Sequence, residues 1–198
     1  MGHKAIEPHA SHRHRRRPHA VTFARLTEVS PDLLAAHMSD PRMAAHMPLL
    51  TEPWDRGVAE RFVAAKEACW QRDGLGHWAF LADGLYVGWG GFQKEGEEWD
   101  FGLVLRPAAF GLGALITRQA LEFARADPRI PFVTFLLPPS RRNLGALTRL
   151  GARFEGEVVE AGAAFRKYRL ETPCTRISYP KGAGDAPSSR RSGTAAIP

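Results

Sequence analysis

The sequence predicts an α/β domain with a mixed central β-sheet and helices on both faces, and three observations lead there. Apolar residues recur at helical spacing in some segments, such as Val58, Phe62, Ala65 and Cys69, and fall in short strand-like runs in others, and the two kinds alternate along the chain. Asp83-Gly84 and Ala161-Gly162 each stand between two strand-like runs, the position of a hairpin turn. The run "PFVTFLLP" (131–138) is apolar almost throughout, the pattern of a strand buried on both faces.

The elements follow in order. "AVTFARL", from Ala20, has strand composition, and "SPDLLAAHM" follows as a helix with Ser30 as N-cap and Pro31 in its first position. Asp40-Pro41 ends or kinks that helix. A longer helix is predicted from about Trp54 to Gln71, stopped at Asp73-Gly74. "GHWAFLADGLYVGWGGFQ" (76–93) makes two strands, and the polar "KEGEE" leads into a third, Trp99 to Leu105. A helix opens after Pro107, the buried strand comes next, and "SRRNLGALTRLG" (140–151) is a short helix with Gly151 as its C-terminal cap. "RFEGEVVE" and "AFRKYRLE" close the domain as a hairpin.

The 198 residues suffice for one domain plus tails. Residues 1–20, with five of the eight histidines, and 173–198 lack the apolar content to bury a core and are expected to be disordered, leaving 21–172 as the folded part. The net charge of +6 resides in those tails: residues 21–172 hold 18 basic and 19 acidic side chains. A basic nucleic-acid-binding face on the domain is therefore not indicated. Cys69 and Cys174 have no partner at metal-ligand spacing, no metal site is expected, and no apolar run is long enough to span a membrane. The expectation is a soluble, cytoplasmic protein; monomer and homodimer both stay open.

One stretch carries chemistry. In "DFGLVLRPAAFGLG" (100–113) a strand stops at Arg106-Pro107, and a Gly-x-Gly opens a helix. The first N–H groups of a helix have no partner within it and carry a partial positive charge, and glycine side chains leave an anion free to approach them. No Lys-Ser/Thr follows the glycines, which excludes a P-loop, and the third glycine and acidic residue of a dinucleotide fingerprint are missing.

The order of elements resembles the GNAT fold of acetyl-CoA-dependent N-acetyltransferases, over roughly residues 21 to 171. The stretch 100–113 is similar to the "EIGYWLLPEYRGKG" of that family's ribosomal-protein N-acetyltransferase-like branch, with the acidic residue, glycine, proline and both turn glycines at identical spacing. "SRRNLGALTRLGARFEG" looks like the branch's Asn-x-x-Ser helix ending in "EKLGF" and followed by "EG", and "ARLTEVSPDLLAAHMSDPRMAAHMP" is similar to its "LRPLT…SDPEV" entry.

The resemblance implies that two parallel strands, ending near Leu105 and beginning near Phe132, splay apart to admit the pantetheine arm. Leu103, Val104 and Leu105 would pair with the arm, Phe110, Gly111, Leu112, Gly113, Ala114 and Leu115 would hold the pyrophosphate, and Asn143 would bond the arm or face the thiol. An ammonium must lose a proton before it attacks a thioester, and a carboxylate can accept it. Asp100 occupies the family's acidic position, and Glu98 precedes it by two, on the same strand face. A backbone N–H near Val104 or Leu105 would hold the oxyanion. Leu147 replaces the tyrosine with which many relatives protonate the leaving thiolate, so that task falls to Ser140, Tyr168 or water. "PLLTEPWDR" (48–56) would border the acceptor pocket.

The expected function is acetyl transfer from acetyl-CoA to a primary amine, of a small molecule or a protein N-terminus, by direct attack. A non-catalytic acyl-CoA-binding module is the alternative, and a nucleic-acid partner working through the tails is a third.

Overall fold

The computed structural model describes residues 20–44, 46–50, 52–141 and 144–173; most of both tails, Asn143 and Cys174 lie outside the described residues. A seven-stranded sheet has the order β1-β2-β3-β4-β5-β7-β6, from β1 (Val21–Arg25), β2 (His77–Ala82), β3 (Leu85–Glu95), β4 (Glu98–Leu105), β5 (Phe132–Leu137), β6 (Arg153–Glu160) and β7 (Ala163–Glu171). Neighbours are antiparallel except β4 and β5, which are parallel. The turns expected at Asp83-Gly84 and Ala161-Gly162 join β2 to β3 and β6 to β7, with φ positive at all four residues, as a two-residue hairpin demands.

Helices α1 (Pro31–Met38), α2 (Pro41–Ala44) and α3 (Arg56–Asp73) precede β2, α4 (Gly113–Ala126) joins β4 to β5, and α5 (Gly145–Arg149) follows β5. Alternation along each strand sorts the core into two layers. Leu26, Leu34, Met38 and Ala59 meet Ala79, Tyr86 and Trp89 on the α1/α3 face. On the α4 face Ile116, Ala120, Leu121 and Ala124, one stripe at helical spacing, meet Phe80, Phe92, Phe101 and Val133.

Two helix starts and one cap differ from expectation. α3 starts at Arg56 because Asp55 accepts a hydrogen bond from the Val58 N–H at 2.8 Å, an N-cap the sequence reading passed over. Ser30 stands at the N-cap of α1, yet its side chain makes no cap bond; Pro31 alone sets that entry. After Pro107 the chain runs through a 3-10 turn, Pro107–Leu112, before α4 begins at Gly113. Two glycines in three residues weaken the α conformation by about 1 kcal/mol each relative to alanine, and the tighter turn takes their place. Among the described residues no helix is long and apolar enough to cross a membrane.

Candidate active site

β4 is paired with β3 along its whole length, from Glu95↔Glu98 to Gly88↔Leu105. Its other edge meets β5 at a single register pair, Asp100↔Thr134. Beyond that point the two parallel strands diverge, so Leu103, Val104 and Leu105 present a backbone edge that no strand fills. A parallel pair that closes at one residue and opens toward the carboxyl ends is a wedge, with Asp100 at its apex.

At the wide end stands the turn into α4. Phe110 is exposed, its ring edge against His46 at a centroid distance of 6.0 Å, and Gly111 and Ala114 are exposed as well. The Gly113 N–H donates to the Phe110 carbonyl, and among the described residues no side chain caps the next N–H groups of α4, at Ala114 and Leu115, with Leu112 at the N-cap. Neither Gly111 nor Gly113 has positive φ. A Cβ at Gly111 would meet nothing within 4 Å, and one at Gly113 would reach only Leu105 Cδ1 and Leu103 Cδ2, at 3.6 and 3.8 Å. Neither backbone nor packing demands glycine here. Glycine at both positions keeps uncapped N–H groups open to a bulky anion, so the residues present fit a pyrophosphate.

Asp100 lies half-buried between charged neighbours. Burial pushes its carboxyl up to about 7; the Thr134 hydroxyl opposes the rise, Glu95 adds to it, and the Leu136 backbone and Lys167 also oppose it. Thr134 Oγ1 lies 3.3 Å from Asp100 Oδ1 and 3.4 Å from the Trp99 carbonyl, and its one proton serves either. Glu98 shares the face of Asp100, as alternation predicts, but Lys167 Nζ donates to it at 2.6 Å, so its carboxylate is engaged. From α3, Lys66 donates to Gln93, the residue opposite Asp100 in the β3–β4 register, and burial lowers its pKa.

Further along the same face His77 stands over Gly102, its Nε2 3.7 Å from the place a Cβ on Gly102 would take. Its ring is buried, Nδ1 has no hydrogen-bond partner among the described residues, and burial together with nearby Lys66 holds its pKa well below that of an ordinary histidine, so the ring is neutral. The sequence alone singles out neither His77 nor Thr134. The one available signal was Thr134 as the sole polar residue in an otherwise apolar strand.

Next to His77, Trp89 faces Val104 in the register and opens a cavity of about 240 Å³ between α1, α3 and the loop that joins them. Trp54, Phe62, Met38, Met47 and Leu50 line it, with Glu52 exposed at its margin. The segment 48–56, expected to border an acceptor pocket, thus supplies part of this wall.

Ser140 is exposed in the turn after β5, at the wide end of the wedge, and Asn143 lies outside the described residues. Leu147 packs against the core of the α4 face, as does Tyr168, whose ring lies 5.4 Å from that of Phe154. The structure thus brings Asp100, Glu98 and Thr134 together, and sets Leu103–Leu105 and 110–115 at the two sides of one opening.

Comparison with known proteins identifies the fold. Residues 21–153 match the model of the acetyltransferase (GNAT) domain family. The fold is similar to that of an acetyltransferase from Agrobacterium tumefaciens (17% identity, TM-score 0.60), covering 86% of this chain and 99% of that one. It is similar also to RimL, a ribosomal L7/L12 alpha-N-protein acetyltransferase solved with coenzyme A (12% identity, TM-score 0.66), over 78% of this chain and 95% of that one. A spermidine N-acetyltransferase from Vibrio cholerae, solved with CoA and spermine, gives 10% identity and a TM-score of 0.62 over 77% of this chain and 95% of the other. With two thirds of its length matched by the family model and the family's parallel-strand wedge at its centre, the chain belongs to the GNAT acetyltransferases.

Proposed function

We propose that this protein transfers an acetyl group from acetyl-CoA to a primary amine by direct attack, with Asp100 as the proton acceptor. The observation that carries the reading is the position of Asp100 at the apex of the wedge, with a carboxyl that titrates near neutrality. Acetyl-CoA supplies the acyl group as a thioester, whose carbon bonds to the amine nitrogen as its bond to sulfur breaks. Asp100 takes the proton released by the amine, directly or through water. A base with a pKa of about 7 is largely ionised at slightly alkaline pH and still basic enough to hold that proton.

The free edge of Leu103–Leu105 pairs with the pantetheine arm as an added strand would, and the N–H groups of the turn at 110–115 face the pyrophosphate. A backbone N–H near Val104 or Leu105 polarises the acyl carbonyl. Glu98, tied to Lys167, supports the local charge balance rather than accepting the proton. The exposed Ser140 hydroxyl, in the turn after β5, would return a proton to the departing sulfur. Kinship with the ribosomal-protein branch rests on the motif spacing of 100–113, since the RimL likeness at 12% identity speaks only for the fold.

A thermal melt with acetyl-CoA, desulfo-CoA and ATP tests the cofactor. Saturation to about 100 times Kd adds roughly 2.7 kcal/mol and raises Tm by a few degrees. The rise is expected with both CoA compounds and not with ATP; no rise with saturating CoA removes the reading.

A further inference from the structure

We infer that the acceptor is a small primary amine with an aromatic or apolar body and no carboxylate, rather than a polycation, an amino acid or a peptide. The inference rests on the transferase reading above and names the substrate class of that site. Its ground is the cavity beside the reaction strand, which Trp89 joins to Val104 on the same strand face as Gly102 and Asp100.

The chemistry of the lining selects the ligand. Trp54, Phe62 and Trp89 form an aromatic series, with centroid distances of 5.0 Å between the first two and 4.8 Å between the last two. The one polar hydrogen of Trp89 is directed to Met38 Sδ at 3.4 Å, so the indole offers the cavity only apolar surface. Trp54 is held in place from outside, because Ser39 Oγ donates to its carbonyl at 2.9 Å and Asp55 starts α3 next to it. A pocket wall this apolar favours a ring or an alkyl body, and a hydroxylated or multiply charged acceptor would leave its polar groups unpaired there.

Charge and size narrow the class. Among the described residues Glu52 is the only charged one in the lining, at its margin, and no Lys, Arg or His lines the cavity to receive a carboxylate. A volume of about 240 Å³ encloses an aromatic ring with a short side chain and little more, so the following residues of a peptide would gain no contact from this wall. Between cavity and base, Gly102 leaves the strand face without a side chain, and the neutral ring of His77 roofs it without adding positive charge. Asp100 lies four residues, about 13 Å, along β4 from Val104, so an amine whose body rests against Trp89 passes its proton to Asp100 through water.

The test compares 2-phenylethylamine, spermidine, phenylalanine, kanamycin and a Ser-Ala-initiated peptide by thiol release from acetyl-CoA, and measures 2-phenylethylamine binding separately from tryptophan fluorescence. A kcat/KM for 2-phenylethylamine at least 100-fold above that for each of the others is expected. In Val58→Phe, which fills the cavity from α3, that value should fall at least tenfold while the thermal shift with acetyl-CoA is unchanged. Preference for spermidine, phenylalanine, kanamycin or the peptide overturns the inference and leaves the transferase standing. Fluorescence binding of 2-phenylethylamine lost in Val58→Phe, without thiol release from any amine, supports the pocket and counts against the transferase. Absence of both binding and acetylation of 2-phenylethylamine overturns the pocket assignment.

Discussion

The two faces of β4 follow opposite rules. Toward α4, Trp99, Phe101 and Leu105 are buried and Leu103 packs with them against the helix. Toward α1 and α3 the same strand presents Glu98, Asp100, Gly102 and Val104, of which two are acidic and one has no side chain. One face buries apolar area and holds the sheet to its helix; the other keeps a carboxylate half-buried beside a bare glycine. The difference teaches where function resides in this strand: on the face that departs from what packing alone would select.

Asp100→Asn breaks the comparison at its strongest point. Turnover should fall by about 10²–10⁴-fold, the usual contribution of a positioned general base, with the acetyl-CoA thermal shift retained. Stability should move the other way. The folded pKa of about 7 lies above the unfolded value of 3.8, so between those pH values the folded chain holds a proton that the unfolded chain has lost. Stability therefore falls as pH rises through that window, by on the order of 4 kcal/mol in total. The neutral amide escapes that loss, so at pH 8 the variant should melt higher than the parent, whereas at pH 4 the two should nearly coincide. A variant that keeps its activity, or melts lower at pH 8, would deny that Asp100 is a base strained by burial.

Phe101→Ala addresses the opposite face one residue away. Phe101 packs against Phe92 and Phe135, with centroids at 5.2 and 5.8 Å, and its truncation should cost about 3–5 kcal/mol in denaturant unfolding. Below its lowered Tm, the pH dependence of the remaining activity should keep its shape. An altered pH profile would mean that the two faces are coupled through the strand.

Gly113→Val sharpens the comparison at the end of the strand. A Cβ there meets Leu105 and Leu103 at ordinary contact distances, so folding should change by less than about 1 kcal/mol. The added methyls occupy the approach to the uncapped N–H groups of α4, and the acetyl-CoA shift should disappear. An intact shift would move the phosphate away from this turn.

These contrasts were unequally legible in the sequence. The hairpins at 83–84 and 161–162 and the Gly74 stop follow from local signals, and the wedge along Leu103–Leu105 from the family resemblance carried by 100–113. Asp100 and Glu98 could be placed on one face by alternation, but nothing local tells that Lys167, 69 positions away, pairs with Glu98, which leaves Asp100 as the proposed proton acceptor. His77 could not be singled out because its surroundings, Lys66, Trp89 and Gly102, come from three other elements. What remained unread is pairing over long sequence separation, the part of a site that periodicity does not encode.

Thr134→Val carries the smallest expected effect and isolates one contact across the apex. The Thr134 hydroxyl stabilises the ionised Asp100, against burial and the charge of Glu95, with the Leu136 backbone and Lys167 acting in the same sense. Valine keeps the volume and removes the donor, so the Asp100 pKa should rise further and the acidic limb of kcat/KM move to higher pH by up to about 1 unit. Well above that limb the carboxylate forms in both proteins and their rates should converge, while acetyl-CoA affinity stays the same. The contact is long, at 3.3 Å, and its proton is shared with the Trp99 carbonyl, which keeps the expected shift small. A limb that does not move would assign Thr134 to the sheet alone, and a limb that moves to lower pH would mean that the group titrating in the rate is not Asp100.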